Sequence, residues 1–254
     1  MKINVGLLVI CLGKYDVFLQ PLAESADKFF MPNANVTIFC FTDKEIPECF
    51  GRIKIVRVKL NPEAYKPFFP YATLKRYHMF YENRALLLNM DYLFYSDVDM
   101  RFVSIVADEI LPDSSSNGLV GTQHPGFVGR RGTYDINRKS TAFVSPNEGL
   151  VYYAGGFNGG SSEEFLSMAQ AIQKNVDIDA FNGVMALWHD ESHMNRYFID
   201  HPPKTLSPSY CYPESMNLPF EKKLLALDKN HKEIRSEGTG LLKRFANMVS
   251  IFRK

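Results

Sequence analysis

Two aspartates two residues apart, Asp97 and Asp99, are the side chains of this sequence best suited to hold a metal ion. They follow the apolar run 92–96, which has the length and composition of a buried strand. A hard divalent cation bound by one or two carboxylates keeps open positions for substrate phosphates. Because ligands of open α/β sheets gather at the carboxyl ends of the strands, the pair indicates an enzyme that grips a diphosphate through a metal. A solvated turn is the alternative, since a D-x-D triplet is common.

A second candidate group lies at 188–193, with the sequence Trp-His-Asp-Glu-Ser-His. Its two histidines are four residues apart, but a zinc hydrolase would place Glu directly after the first, and no third ligand is evident. Asp190 and Glu191 point to other chemistry. Adjacent carboxylates at the start of a helix diverge, so one can bind a substrate hydroxyl while the other faces a reacting carbon. Trp188 could offer its ring to a sugar, or simply form a half-buried corner.

The composition excludes some classes of function. The chain has 254 residues and a formal net charge of +1, so no global field draws it to nucleic acid. Hydrophobic residues make up 46%, enough for the core of one large domain. Four cysteines without C-x-x-C spacing, including Cys11 and Cys40 in apolar runs, indicate buried thiols in a reducing compartment.

The N-terminal apolar run is too short for a secretory signal, and no small-residue cleavage site follows it. No other run approaches the roughly 20 apolar residues of a membrane span. We therefore expect a cytoplasmic protein.

The hydrophobic pattern predicts alternating strands and helices in the first half of the chain. Asp16 is expected to cap the first helix. The second half is less regular, with a flexible turn predicted at 154–160 and a capping box at 161–164 that begins a helix. Further strands are predicted at 4–12, 36–41, 53–60, 91–96, 118–122 and 150–153, and further helices at 71–88 and from 190 to about 200. This alternation predicts one α/β domain with a largely parallel sheet.

Residues 240–254 differ from the rest, because apolar residues at helical spacing alternate with basic ones and no acid is present. Such a helix can lie on an anionic membrane surface, which would make the protein peripheral on the inner membrane face. Packing on its own domain, or a frayed tail, is the alternative.

Taken together, the motifs resemble the family 6 glycosyltransferases, which include the blood-group A and B transferases, the α1,3-galactosyltransferase and bacterial relatives. The resemblance covers about residues 6–235. It is carried in order by the stretches 13–15, 41–43, 91–93, 97–100, 124–127, 152–160, 188–193, 206–208 and 229–235. It implies the GT-A fold, a single α/β domain with a central, mostly parallel mixed sheet flanked by helices, which we expect at 1–239 with 240–254 as a tail.

The resemblance also implies an activity: retaining transfer of galactose or N-acetylgalactosamine from a UDP-sugar to an acceptor galactose, in α1,3 linkage. Asp97 and Asp99 then hold Mn²⁺, or Mg²⁺, and the diphosphate. Glu191 is the implied nucleophile and Asp190 a ligand of a donor hydroxyl. The remaining implied donor contacts are Ile10, Leu12, Tyr15, Arg76, Val98, Ala154, Gly155, Gly156, Lys229 and Arg235, and the implied acceptor contacts are His124, Thr133 and Trp188.

Two departures from the family pattern matter. Many bacterial members carry N-x-N and need no metal, whereas this chain keeps both aspartates, so we expect metal dependence. The mammalian enzymes begin with a membrane anchor, whereas this sequence begins at the catalytic domain, so we expect a bacterial-type member.

Small residues at three family positions suggest the donor. Gly126, Ala154 and Gly156 leave room for an acetamido group, which favours UDP-N-acetylgalactosamine over UDP-galactose. The acceptor is expected to be a galactose that carries an α1,2-fucose as in the H antigen. Glu214 would bind its hydroxyls, with an ordinary loop carboxylate as the alternative. A galactosyltransferase, a non-catalytic carbohydrate-binding protein of the same fold and a donor hydrolase are the alternatives.

Overall fold

An eight-stranded mixed sheet forms the centre of a single α/β domain in the computed structural model, which describes residues 2–61, 63–66 and 69–234. In chain order the strands are β1 (Asn4–Cys11), β2 (Asn35–Thr42), β3 (Cys49–Phe50), β4 (Ile53–Lys59), β5 (Tyr92–Ser96), β6 (Met100–Phe102), β7 (Leu119–Gln123), β8 (Tyr153–Ser161), β9 (Lys204–Leu206), β10 (Tyr212–Pro213) and β11 (Leu224–Ala226). The helices are α1 (Leu19–Phe29), α2 (Tyr71–Leu74), α3 (Arg76–Glu82), α4 (Arg84–Leu87), α5 (Ser162–Phe181), α6 (Asp190–Asp200) and α7 (His231–Ile234).

The strand order in the large sheet is β3-β4-β2-β1-β5-β8-β7-β9, and β10-β11-β6 form a small second sheet. Strand β1 pairs in parallel with both β2 and β5, while β8 runs antiparallel between β5 and β7. After β1 the chain first adds β2 and β4 on one side of that strand, and it later adds β5 on the other side. The carboxyl ends of β1 and β5 therefore flank a crevice of the kind in which α/β proteins bind their ligands.

Helices cover both faces of this sheet, as the apolar runs require. Side chains alternate along β1, so that Leu7 and Val9 pack against α1 while Leu8 packs against α3 and α5. A strand buried on both faces reads as a continuous apolar run, which is why β1, β2 and β5 were correctly predicted. Both Cys11 and Cys40 are buried free thiols, as expected.

Two helix predictions in the first half were wrong in detail. Asp16 lies within a 3₁₀ segment, Gly13–Phe18, and α1 begins only at Leu19 without a side-chain cap. The single helix predicted at 71–88 is three short helices. The backbone leaves the helical region at Lys75 (φ −92°, ψ 7°) and at Asn83 (φ −100°, ψ 16°), which redirects the chain at each point.

The flexible turn predicted at 154–160 was also wrong, because these residues form most of the buried strand β8. The strand predicted at 150–153 begins only at its last residue. A Cβ on Gly159 would lie 2.3 Å from the Phe94 ring, and one on Gly160 would lie 2.4 Å from the Gly118 carbonyl oxygen. These glycines thus permit close packing of β8 on its neighbours rather than a turn.

Other predictions in the second half were confirmed. The Ser161 side chain accepts a hydrogen bond from the Glu164 amide and caps α5, and α6 ends at Asp200 as predicted. Within the described ranges, none of the helices is both long and apolar enough to cross a bilayer. The tail predicted at 240–254 and Arg235 lie outside the described residues.

Candidate active site

A cavity of about 430 Å³ opens at the carboxyl ends of β1 and β5. Strand β1 and the segment after it contribute the wall residues Ile10, Leu12 and Tyr15. The other described lining residues are Phe69, Ala72, Thr73, Arg76, Tyr95, Asp97, Val98, Asp99, Gly155, Gly156, Trp188, His189, Asp190, Glu191 and Lys229. Most residues predicted to bind the donor therefore meet in one place.

The aspartate pair lies at the end of β5, as expected. The amide of Asp97 donates to the Gly156 carbonyl oxygen at 2.9 Å, which ties the pair to β8. The Tyr95 hydroxyl donates to Asp97 Oδ1, and Lys229 Nζ contacts Asp99 Oδ2. Both carboxylates border the cavity, and each already has a partner that fixes its orientation.

Arg76 is the buried cation at the centre of the site. Its Nε lies 2.9 Å from Asp190 Oδ2, its Nη2 lies 3.6 Å from Asp97 Oδ1, and its Nη1 donates to the Gly155 carbonyl oxygen at 2.7 Å. The guanidinium also lies over the Tyr95 ring, 4.1 Å from the centroid. The break at Lys75 starts α3 at this residue, so the arginine projects inward and links three separate parts of the chain.

Asp190 and Glu191 begin α6, directly after His189, whose backbone φ is +54°. Burial raises the pKa of Asp190 to about 7, although the Arg76 charge opposes the shift. Burial likewise raises the pKa of Glu191, opposed by hydrogen bonds from the Gly155 amide and the Tyr152 hydroxyl. Shifted carboxyl groups that share a cleft are typical of acid–base or nucleophilic sites.

Each oxygen of the Glu191 carboxylate has its own donor. The Tyr152 hydroxyl donates to Oε1 and the Gly155 amide donates to Oε2, both at 2.8 Å. The Asn195 side chain bonds both the amide and the carbonyl of Tyr153 at 2.8 Å, which locks α6 onto β8. The carboxylate is therefore held rigidly at the cavity wall, as efficient catalysis requires.

The residues predicted to bind the acceptor form a second group beside the cavity. Trp188 is 47% exposed, and its Nε1 donates to Thr133 Oγ1 at 2.8 Å. His124 packs against the Phe127 and Tyr152 rings, and burial lowers its pKa. Tyr152 therefore contacts both His124 and Glu191, and Trp188 contacts Thr133.

Among the described residues, Ala154 and Glu214 lie apart from both the cavity lining and the acceptor group. Ala154 is buried within β8. Glu214 accepts a hydrogen bond from the Asp228 amide at 3.1 Å and lies 3.5 Å from Arg101 Nη2. Arg235 is not among the described residues.

Sequence reasoning missed several residues that shape the site, above all Tyr95, Tyr152 and Asn195. Tyr95 could have been found, because it precedes Asp97 by two residues and side chains two positions apart in a strand lie on the same face. No local pattern marks Tyr152, whose partner Glu191 is 39 residues away.

The described cavity lining carries four carboxylates against two cations. A diphosphate would be repelled from such a surface unless a further positive charge entered with it. Asp97 and Asp99 offer the oxygen ligands that Mn²⁺ and Mg²⁺ prefer, and the Lys229 ammonium at Asp99 marks where positive charge is favourable. Within the described ranges no third His, Cys, Asp or Glu joins them in a metal-binding group, so the pair fits a cation whose remaining ligands are phosphate and water.

A mixed α/β sheet with an acid pair after one central strand, and a buried carboxylate across the cavity, is consistent with the GT-A type of glycosyltransferase fold. Residues 1–236 match the family model described as glycosyltransferase family 6, and the chain belongs to that family.

Curated relatives with sequence similarity include transferases of vertebrates and bacteria. The histo-blood group ABO system transferase 1 of Rattus norvegicus is 35% identical, over 92% of this chain and 69% of that protein. The globoside alpha-1,3-N-acetylgalactosaminyltransferase 1 of Mus musculus is 32% identical, over 93% and 70%. The O-antigen biosynthesis glycosyltransferase WbnI of Escherichia coli is 24% identical, over 90% and 96%.

Proposed function

We propose that this glycosyltransferase moves N-acetylgalactosamine from UDP-N-acetylgalactosamine to the 3-hydroxyl of a galactose, with retention of the α configuration. The acceptor galactose is proposed to carry an α1,2-fucose. The observation that carries the proposal is the Glu191 carboxylate, held at both oxygens and lining the same cavity as the Asp97–Asp99 pair. An anomeric carbon between these groups would have its nucleophile on one side and the departing diphosphate on the other.

Different residues of the chain have different roles in the proposed reaction. When bound, a divalent cation at Asp97 and Asp99 stabilises the negative charge that develops on the departing UDP. Arg76 and Lys229 add positive charge at the same side. The bond from the anomeric carbon to UDP breaks with both electrons on the diphosphate oxygen, and the acceptor hydroxyl oxygen forms the new bond as its proton passes to the departing diphosphate. Glu191 either bonds the anomeric carbon transiently or stabilises its positive charge.

Asp190 is suited to bind a hydroxyl of the donor sugar. Its side chain is buried, and apart from the Arg76 contact neither oxygen has a well-aligned hydrogen bond within the described part of the chain. A buried carboxylate oxygen without a donor is costly, so a sugar hydroxyl that donates to it would be bound strongly.

Small residues support the choice of donor. Of the three small residues predicted to favour this donor, Gly156 lines the cavity, where a Cβ would lie 3.3 Å from Asp97 Oδ2, whereas Gly126 and Ala154 are outside the described lining. The name of the mouse relative also specifies N-acetylgalactosamine. An acetamido group needs this space, although space alone does not repel the smaller galactose.

A donor-by-acceptor screen tests the proposal. We expect UDP release and a trisaccharide product with UDP-N-acetylgalactosamine and 2′-fucosyllactose, at a higher kcat/KM than with UDP-galactose. A higher kcat/KM for UDP-galactose would reverse the donor assignment. UDP release at the same rate without any acceptor would indicate a hydrolase, and no UDP release with either donor would leave only sugar binding.

Removal of metal tests the role of the aspartate pair. We expect EDTA to abolish transfer and Mn²⁺ to restore it, because the pair is otherwise a net repulsive surface for the diphosphate. Activity that persists undiminished in EDTA would contradict this role.

A further inference from the structure

A chain of side-chain hydrogen bonds connects the exposed acceptor side of the site with the buried Glu191. Trp188 Nε1 donates to Thr133 Oγ1 at 2.8 Å. The Thr133 hydroxyl favours the ionised form of Tyr152 and so opposes the rise that burial causes in the Tyr152 pKa, and the Tyr152 hydroxyl donates to Glu191 Oε1 at 2.8 Å. Four residues from three distant stretches of the sequence are thus joined in series.

The direction of this chain is fixed at both ends. An indole N–H can only donate, so Thr133 accepts from Trp188 and its own proton remains for Tyr152. An ionised carboxylate can only accept, so Tyr152 must donate to Glu191. The donors of the two measured links therefore point toward Glu191, and hydrogen-bonding groups in series polarise one another.

We propose that Tyr152 and Thr133, oriented by Trp188, are positioning residues that hold the Glu191 carboxylate in its reactive orientation. This inference rests on the proposed function, because it assigns a role to residues around the proposed nucleophile. Thr133 and Trp188 would then act even when no acceptor is bound, which an acceptor contact alone would not do.

Burial supplies the physical need for such a device. Glu191 is desolvated at the cavity wall, which disfavours its charged form, and the Gly155 amide reaches only one of its oxygens. Donors to the other oxygen stabilise the ionised carboxylate and restrict its rotation. Arg76, Asp97 and Asp190 also face this group from α3, β5 and α6, but in the described residues its hydrogen-bond donors are Tyr152 and Gly155.

Hydrolysis of the donor sugar in the absence of acceptor tests the proposal, because water then replaces the acceptor and acceptor contacts become irrelevant. We expect Tyr152→Phe to lower kcat for hydrolysis about tenfold or more, and Thr133→Val about threefold to tenfold. Trp188→Phe keeps a ring but loses the N–H, and we expect a smaller decrease. The KM for the UDP-sugar should change less than about twofold, since none of these groups is proposed to bind the donor.

Conservative and neutral variants serve as controls. Thr133→Ser keeps the hydroxyl and should recover most of the rate lost in Thr133→Val. Ile136→Ala changes a 70% exposed residue three positions away and should behave as wild type. Thermal melting of each variant shows whether it is folded, which the exposure of Thr133 makes the expected result.

The outcomes are distinguishable. If Thr133→Val raises the KM for the acceptor but leaves both hydrolysis and kcat at saturating acceptor unchanged, Thr133 is an acceptor contact only and the inference is wrong. If the wild-type enzyme releases no UDP with or without acceptor, the proposed function fails and the inference fails with it. A decrease in both rates with an unchanged donor KM supports the inference.

Discussion

Two groups of buried acids lie near helix α6, and they differ in how their oxygens are satisfied. Asp190, which begins α6 and lines the cavity, and Asp179, on the neighbouring helix α5, are 1% and 2% exposed. Asp179 accepts from the Ser140 hydroxyl at 2.6 Å and from the Thr141 amide at 2.7 Å. Asp190 lies against Arg76 and has no well-aligned hydrogen bond within the described residues.

Asp135 follows the same rule as Asp179. Asp135 accepts from the amides of Asn137 and Leu187, so it fastens one loop to another. Burial lowers the pKa of His193, which lies beside Asp179, to about 4, so this histidine is neutral near pH 7. We call Asp135, Asp179 and His193 the sealed cluster.

The comparison teaches that burial alone does not identify a functional acid. Asp135 and Asp179 are bonded to the protein at both oxygens and lie away from the described cavity lining, so they act as structural anchors, whereas Asp190 and Glu191 line the cavity and can meet a ligand there. Substitution and titration of residues in both groups test this distinction.

The largest expected effect follows from removing the Glu191 charge. We expect Glu191→Gln to lower kcat about 10³-fold or more because an amide is a poor nucleophile, and to lower the melting temperature modestly because the amide NH2 then faces one of the two donors. UDP release measures the rate. Glu163→Gln, at an exposed position of α5, is the matched control, and a similar loss there would show that the assay reports something other than the site.

The next effect concerns the acid side of the pH profile. Because burial raises the pKa of Asp190 to about 7, the protonated form accumulates as the pH falls through 7 and is a weaker acceptor of a hydrogen bond from the donor sugar's hydroxyl. We expect kcat/KM for the UDP-sugar to fall about tenfold per pH unit below this value. A profile that is flat from pH 5 to 8 would exclude Asp190 as an ionised ligand. His193 in the sealed cluster, with a pKa of about 4, does not contribute a slope in that range.

The smallest effect on activity is expected within the sealed cluster. Asp179→Asn replaces one acceptor with a donor that faces another donor, which should lower the free energy of unfolding by about 1–3 kcal/mol. Urea denaturation measures this change, while kcat at 25 °C should remain within about twofold of wild type. The control Glu163→Gln, at an exposed position of the same helix, should cost less than about 1 kcal/mol. A large loss of kcat in a folded Asp179→Asn variant would contradict the assignment of Asp179 as a purely structural residue.

Much of the site could be predicted because some chemistry is local in sequence. Asp97 and Asp99 follow an apolar strand, and Asp190 and Glu191 begin a helix, so their placement at element ends follows from hydrophobic periodicity. The prediction failed at β8, where glycines suggested a turn. Their role is to let β8 approach Phe94 and Gly118, and such a tertiary contact leaves no local pattern.

The sequence by itself determined the strand–helix alternation, the two acidic motifs and the family, because each depends on residue types and short spacings. Only the tertiary structure decided how the acids differ. Arg76 meets Asp190, and Tyr152 meets Glu191, through contacts that span 114 and 39 positions of the chain. The energy of a buried charge depends on every group that surrounds it in space, so its role is decided when distant segments pack together.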